Sequence, residues 1–394
     1  EEISNIRLGY TGRFVDDSFK ATEYNLTVEH ASDFPSLDGF LLDDYYNRDN
    51  LSSGWFKIQK NVDKYTVTKN IHSAYAEATY QFTSRWIVNL GLKYDYVDIN
   101  VDYNVNRGGS EGSNTIRKDY FLPSLNLKYN LNEKHSLRLG ASKTYTLPQA
   151  KEISPYRYVG VNFNSQGNPN LKPSDNYNFD LKWDFNPSPT ELVSLTAFYK
   201  HIKDPISRIE VASAGGYLSY ENISDRAIVA GVEVEIRKNL FVRPLSSAAN
   251  GMNKLSFGLN GSYIYTNAKM PLATVTTGSQ LEGAAPWIAN FDLSHHFTRD
   301  ERSFVNTLVL NYVSDKIYTI GTQGYQDIME RGLVTLDFVS QARLNKYLSL
   351  NLKARNLLNP SHKLSRKANE SGEKVVLGDY KKGINISLGV SCTF

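Results

Sequence analysis

The sequence is poor in cysteine, methionine and long apolar runs. It holds 1 Cys and 3 Met in 394 residues. A single thiol, Cys392, excludes a disulfide framework and any cysteine-cluster metal site. No apolar run reaches the roughly 18 residues a transmembrane helix needs, and Glu1 does not open a signal peptide. Charge is balanced too: 44 basic and 41 acidic residues leave +3, which builds no field for nucleic acid. No segment carries an apolar stripe at helical spacing, so no helical layer is expected to cover a sheet.

Aromatics are what the chain has in excess, with 26 Tyr and 4 Trp. Amphipathic rings suit β-strands and membrane–water interfaces. The last twelve residues, Gly383-Ile-Asn-Ile-Ser-Leu-Gly-Val-Ser-Cys-Thr-Phe394, give the pattern in its purest form. Ile384, Ile386, Leu388, Val390, Cys392 and Phe394 share one face; Asn385, Ser387, Gly389, Ser391 and Thr393 share the other. A strict period of two is a strand with one apolar and one wet side. Nothing follows to cover the apolar side except another layer or lipid. The mean hydropathy of −0.42 does not count against lipid, because alternate residues of a membrane barrel face a polar interior.

The same alternation recurs along the chain. Trp86-Ile-Val-Asn-Leu-Gly-Leu-Lys-Tyr-Asp-Tyr96 and Tyr177-Asn-Phe-Asp-Leu-Lys-Trp-Asp-Phe185 are among its clearest instances. Segments of about ten residues match a tilted strand crossing a bilayer. Residues 3–14 and 19–31 read as two strands about a turn at Val15-Asp-Asp-Ser18, and residues 104–116 as a long loop. Connections alternate short and long, as in outer-membrane barrels with tight periplasmic turns and long outer loops. The expected fold is all-β: an antiparallel transmembrane β-barrel with about fifteen strands in this chain. An odd count in a barrel that must close points to the C-terminal part of a longer protein, or to a miscount within residues 3–31.

Several local patterns carry a family resemblance. They are Thr144-Tyr-Thr-Leu-Pro-Gln-Ala-Lys-Glu-Ile-Ser-Pro155, Gly167-Asn-Pro-Asn-Leu-Lys-Pro173, Phe198-Tyr-Lys-His-Ile-Lys-Asp-Pro-Ile206 and Gly231-Val-Glu233. Gly283-Ala-Ala-Pro286, Arg355-Asn-Leu-Leu-Asn359 and the terminal Phe394 follow in order. In this order they resemble the C-terminal barrel of a TonB-dependent outer-membrane receptor of the kind common in Bacteroidetes. The resemblance implies a barrel of about 22 strands around a plug, in the outer membrane of a Gram-negative bacterium. It implies partnership with outer-membrane lipid, the TonB complex, the barrel-assembly machinery and a nutrient ligand. Residues 1–394 then form the C-terminal part of the barrel, with plug domain and TonB box outside this chain. Phe394 would be the assembly signal.

The function expected is uptake of a scarce nutrient, be it siderophore, cobalamin-like, glycan or peptide, bound in outer loops and imported with TonB-supplied energy. A passive porin or an adhesin-like barrel is the alternative. Loops on a rigid scaffold commonly carry recognition. The candidate ligand contacts are therefore Tyr45, Tyr46 and Trp55 in one loop and Tyr156, Tyr158, Phe163 and Asn168 in another. Asp38, Asp43, Asp44 and Asp49 offer hard oxygen ligands, but a solvated loop has the same composition. Gly108-Gly-Ser-Glu-Gly112 fits the nucleophile-elbow pattern without the strand–turn–helix context it requires. Adjacent His295 and His296 point to opposite faces of a strand and cannot share a metal. No enzyme, cofactor or metal site is expected.

Overall fold

A computed structural model of the chain describes residues 4–28, 47–105, 110–213, 216–245, 251–269, 280–368 and 371–393. Fourteen strands form one antiparallel sheet in which every neighbour in space is a neighbour along the chain. They are β1 (Ser4–Val28), β2 (Phe56–Gln81), β3 (Trp86–Val105), β4 (Ser110–Asn130), β5 (His135–Thr146), β6 (Ser174–Phe185) and β7 (Leu192–Lys203). The second half is β8 (Arg226–Pro244), β9 (Met252–Ala268), β10 (Trp287–Arg299), β11 (Arg302–Val313), β12 (Leu333–Arg343), β13 (Leu348–Arg355) and β14 (Asn385–Cys392). β1 and β14 are the edges of this sheet.

Side-chain caps make the tight turns at one end. Thr83 Oγ1 accepts the Arg85 and Trp86 amides at 3.2 and 3.3 Å. Asn132 Oδ1 does the same for Lys134 and His135, both at 2.9 Å, and Asn345 Oδ1 for Tyr347 and Leu348, both at 2.9 Å. Short polar side chains that mimic a backbone turn are what such connections need.

Two sequence expectations are corrected here. Residues 15–18 make no turn: β1 is one strand of 25 residues, paired without interruption to β2 from Ser4↔Tyr80 to Val28↔Phe56. Residues 104–116 are not a long loop either, since β3 runs to Val105 and β4 resumes at Ser110. Among the described residues the wall has fourteen strands.

The reason lies in β3, whose two faces exchange character along its length. From Trp86 to Tyr96 the outward side chains are apolar and exposed: Trp86 40%, Leu90 54%, Leu92 52%, Tyr96 36%. Beyond Tyr96 the outward residues are Asp98, Asn100 and Asp102, while inward Val97, Ile99 and Val101 are buried. Opposite them on β4, Arg117 pairs with Asp98 at 3.2 Å and Thr115 donates to Asn100 at 2.8 Å. Tyr94 Oη donates to Asp119 at 2.5 Å along the dividing line. Ten intervals from Trp86 to Tyr96, at about 3.3 Å each and tilted by about 40°, span about 25 Å. That is the height of the apolar band of a membrane barrel. The tall strands β1–β4 rise above it as a watery-side extension.

The wet face of the wall carries paired charges. Arg138 and Lys182 meet Asp184 at 3.4 and 3.5 Å, Arg237 meets Glu235 at 2.8 Å, and Asn260 donates to Glu233 at 2.6 Å. Short outer-loop strands build two more sheets at the opposite end from the tight turns. One joins 157–158, 165–166, 206–211 and 217–222; the other joins 316–319, 328–330, 361–367 and 374–381. An isolated bridge, Ile209↔Ile320, links them.

Candidate site in the outer-loop cap

Loop 147–173 folds inward over the tall strands. Its helical turn, Ala150–Ile153, opens with a capping box in which Glu152 accepts the Gln149 amide at 2.8 Å. Ile153 at its end and Leu171 further on are buried against Val67, Val97, Ile99 and Val101. The inverted face of β3 is the seat for this loop. Burial raises the Glu152 carboxyl above its ordinary value, opposed by the Gln149 amide.

Asn168 is committed to the framework. Its backbone amide reaches Glu152 O at 2.6 Å, its Nδ2 donates to Tyr220 O at 2.9 Å, and its Oδ1 accepts the Asn170 amide at 2.9 Å. A Cβ at Gly167 would overlap the carbonyl oxygens of Ser154 and Lys151, so only glycine permits this approach. Asn222 completes the staple, accepting from Lys172 N at 2.8 Å and donating to Lys172 O at 2.9 Å. The Gly-Asn-Pro-Asn stretch therefore holds one loop to the next.

Tyr156 and Tyr158 come together, with rings edge to face at 5.3 Å. Both stand beside Phe19 of β1, at 4.9 and 5.9 Å, and Phe19 stacks on Tyr65 of β2 at 5.0 Å. Burial raises the Tyr65 and Tyr156 phenols above their ordinary value of 10.0, with further upward pushes from Asp17 and Asp63 respectively. Lys151 lies 4.4 Å over the Tyr158 ring, a cation–π placement.

Between the two cap sheets is a cleft of about 300 Å³, with Lys151, Tyr158, Phe163, Arg208, Tyr220 and Tyr318 among its lining residues. Phe163 and Tyr318 face each other at 6.2 Å. Arg208 crosses the cleft wall: its guanidinium lies 3.9 Å over Tyr318, Nε donates to Thr319 Oγ1 at 3.0 Å, and Nη2 meets Glu282 at 3.0 Å. Glu282 also accepts the Arg208 amide at 2.5 Å, yet burial still raises its carboxyl above the ordinary range. Arg366 pairs with Glu210 and stands 5.2 Å over Tyr325. The contacts of Arg208 and Arg366 tie four outer loops together. Arrays of rings around a cation suit a flat or anionic ligand held without covalent chemistry.

Of the residues expected from sequence, Tyr158 and Phe163 line this cleft and Tyr156 adjoins it. Trp55 does not; it follows the helical turn Arg48–Ser52 and immediately precedes β2, ten residues before Tyr65 and about 33 Å of extended chain away. Tyr45, Tyr46 and Phe394 lie outside the described residues, as do Asp38, Asp43 and Asp44. Ser110 opens a strand rather than an elbow before a helix. His295 bonds Asn253 at 2.9 Å. Sequence reading missed Lys151, Arg208, Tyr220 and Tyr318, because three of them come from other loops and only the folded cap gathers them.

The chain is similar to several known proteins. It is 25% identical over 228 residues to the iron-regulated outer membrane virulence protein of Vibrio cholerae serotype O1, covering 55% of this chain and 32% of that protein. Among solved structures it is similar to the siderophore receptor PiuA of Acinetobacter baumannii, with TM-score 0.58, 12% identity, and coverage of 99% of this chain and 53% of that one. The ferric yersiniabactin uptake receptor FyuA of Yersinia pestis gives 0.57 at 14% identity, covering 100% and 56%. The copper transporter OprC gives 0.58 at 13% identity, covering 86% and 55%. The chain thus spans about a third of the curated relative's length and just over half of these structures. At these identities the structural likeness concerns the fold. The family model described as TonB dependent receptor-like, beta-barrel matches residues 4–357, and the chain belongs to that family of outer-membrane barrels.

Proposed function

We propose that this chain forms much of the wall and outer mouth of a receptor that binds an iron–siderophore complex at the cap cleft and imports it with TonB-supplied energy. The observation that carries the reading is the cleft itself, where Lys151 and Arg208 stand among Tyr158, Phe163, Tyr220 and Tyr318. A chelate with flat rings and acidic oxygens matches that chemistry. The iron-regulated relative and the siderophore receptors of like fold support the class of cargo. We also propose that further strands of a longer protein pair with β1 and β14, and that a plug fills the lumen. Exposed β1, 25 residues long, is an edge that proteins ordinarily cover.

Uptake tests the reading. A strain whose only receptor is the full-length protein is given radiolabelled iron on a panel of siderophores, with cobalamin, a glycan and a peptide as controls. Uptake of at least one ferric chelate, dependent on TonB and lost on Tyr158→Ala with Lys151→Gln, is expected. TonB-independent leakage of all solutes alike would overturn it in favour of a passive pore.

A further inference from the structure

The upper part of the β1–β2 hairpin carries a patch that faces away from the mouth. Tyr96 of β3 closes the apolar band and stands opposite His72, which stands opposite Gly12. Lys20 to Leu26 lie further up β1; at about 3.3 Å per residue and a tilt of about 40°, that is about 20 to 35 Å above the band. Phe19 and Tyr65 turn inward, stacked on each other with Phe19 beside Tyr156 of loop 147–173, so their neighbours Lys20 and Lys64 turn outward. The outward row continues through Tyr24 and Leu26 on β1 and through Lys60 and Ile58 on β2. All six are exposed, Tyr24 by 63%, Ile58 by 50% and Leu26 by 46%. Lipid accounts for such side chains within the band but does not reach this height.

Charge is segregated on this face. Lys20 and Lys64 stand directly opposite each other in the ladder, a placement that is destabilising for like charges. Lys60 follows at about 13 Å along the strand. Among the described residues none of the three sits in an ion pair. On its other side Lys64 meets Asn104 of β3, not a carboxylate. The nearby acids lie elsewhere: Asp102 is opposite Thr66 and accepts the Asn100 amide at 2.7 Å, Asp98 is paired with Arg117 at 3.2 Å, and Glu111 is beyond Asn104 on β4. Asp16 sits lower on β1, opposite Thr68. The outward face is thus basic over the top of β1–β2 and acidic over β3–β4.

We propose that this patch is an adhesive site for an acidic polysaccharide outside the cell, whose anionic groups pair with Lys20, Lys60 and Lys64 while a sugar ring lies on Tyr24. Size favours a narrow chain. Two strands over this length present about 20 by 10 Å, about a quarter of the roughly 800 Å² each partner contributes to a standard protein interface. Chemistry favours a sugar. A ring among cations suits a polymer that carries both charge and an apolar ring face, which an acidic peptide lacks. Lysines act as point charges on flexible stems and take carboxylate or sulfate alike. One patch binds weakly, but a polymer spanning many receptors on one cell gains by multivalency. Because the patch faces sideways, it adds attachment to the protein's role and stands apart from uptake.

Retention of the purified full-length receptor on immobilised polymers tests this, the probes being polygalacturonate, a sulfated galactan, a neutral galactan and polyglutamate. At least one of the two acidic polysaccharides should retain the receptor, less so as salt rises, and the neutral galactan should not. Polyglutamate should hold it at least about fivefold more weakly. Lys20→Gln with Lys60→Gln and Lys64→Gln should weaken retention about tenfold, and Tyr24→Ala about fivefold. Both variants should keep the heat-modifiable mobility of the wall, which separates a lost contact from a lost fold. Failure of both acidic polysaccharides to bind, or retention that survives the lysine substitutions, would overturn the proposal. Equal retention by polyglutamate, or indifference to Tyr24→Ala, would overturn it in favour of an acidic peptide.

Discussion

The Arg208 guanidinium stands over the Tyr318 ring, 3.9 Å from its centre, while its Nη2 holds Glu282 at 3.0 Å. One side chain thereby joins three loops, those following β7, β9 and β11. Its removal leaves Glu282 largely buried, with the backbone amide of residue 208 as its partner among the described residues. Arg208→Ala should destabilise the cap by about 2–3 kcal/mol, the usual cost of stranding one member of a buried charged pair. Limited proteolysis should cut loops 204–225 and 314–332 sooner, with the heat-modifiable mobility of the wall unchanged. Unaltered loop cleavage would remove the clamp.

Glu152 makes loop 147–173 sensitive to pH. Its carboxyl titrates above the ordinary value of 4.5 because burial penalises the charged form. The folded loop therefore holds this proton where the unfolded loop has already lost it. Stability must fall as pH rises from about 4.5 through the folded-state value, then level off. Amide hydrogen exchange across residues 149–173, corrected for its intrinsic rate, should show more frequent opening at pH 7.5 than at pH 5. Glu152→Gln keeps an acceptor for the capping box and should flatten that dependence. The same pH slope in the variant would assign it to another group.

The membrane level drawn from β3 makes different demands on outward residues above and below it. Leu308 faces outward in the middle of β11 and is 39% exposed. Leu308→Arg should cost about 2–4 kcal/mol, as a cation at the bilayer midplane does. Thr68 of β2 is also outward and exposed, but it lies above the band, opposite Asp16. Thr68→Arg should stay within about 0.5 kcal/mol. Urea unfolding in lipid vesicles compares them, and equal effects would misplace the boundary.

The strands were legible because lipid and lumen impose a period of two, which Trp86 to Tyr96 displays without a break. The upper ends were not, because the two faces trade character at the membrane surface. Where they cross, polar residues fall on both sides, and Val15-Asp-Asp-Ser18 then looks like a turn although Asp16 and Asp17 sit opposite Thr68 and Val67 in a continuous ladder. The cleft was half legible. Tyr158 and Phe163 stand out as rings in one loop, but Arg208 and Tyr318 are separated by 110 residues and meet only through cap pairing.

Tyr158 and Asn168 sit in different settings within that one loop. Both resemble ligand contacts in sequence, but Tyr158 is 40% exposed at the cleft, whereas the Asn168 side chain spends a donor on Tyr220 O and an acceptor on Asn170 N. Tyr158→Ala should weaken binding of a ferric chelate by about 1–2 kcal/mol, the scale of a ring contact together with its cation, and leave loop exchange rates as they were. Asn168→Ala should strand two backbone groups at about 1–3 kcal/mol of loop stability. Its effect on binding should then track loop opening and recover at low temperature, where the loop closes. Binding titrations on the purified full-length receptor, run beside hydrogen exchange on the same samples, distinguish the two. If Asn168→Ala loses affinity with the loop still protected, Asn168 touches the ligand and the division between the two residues fails.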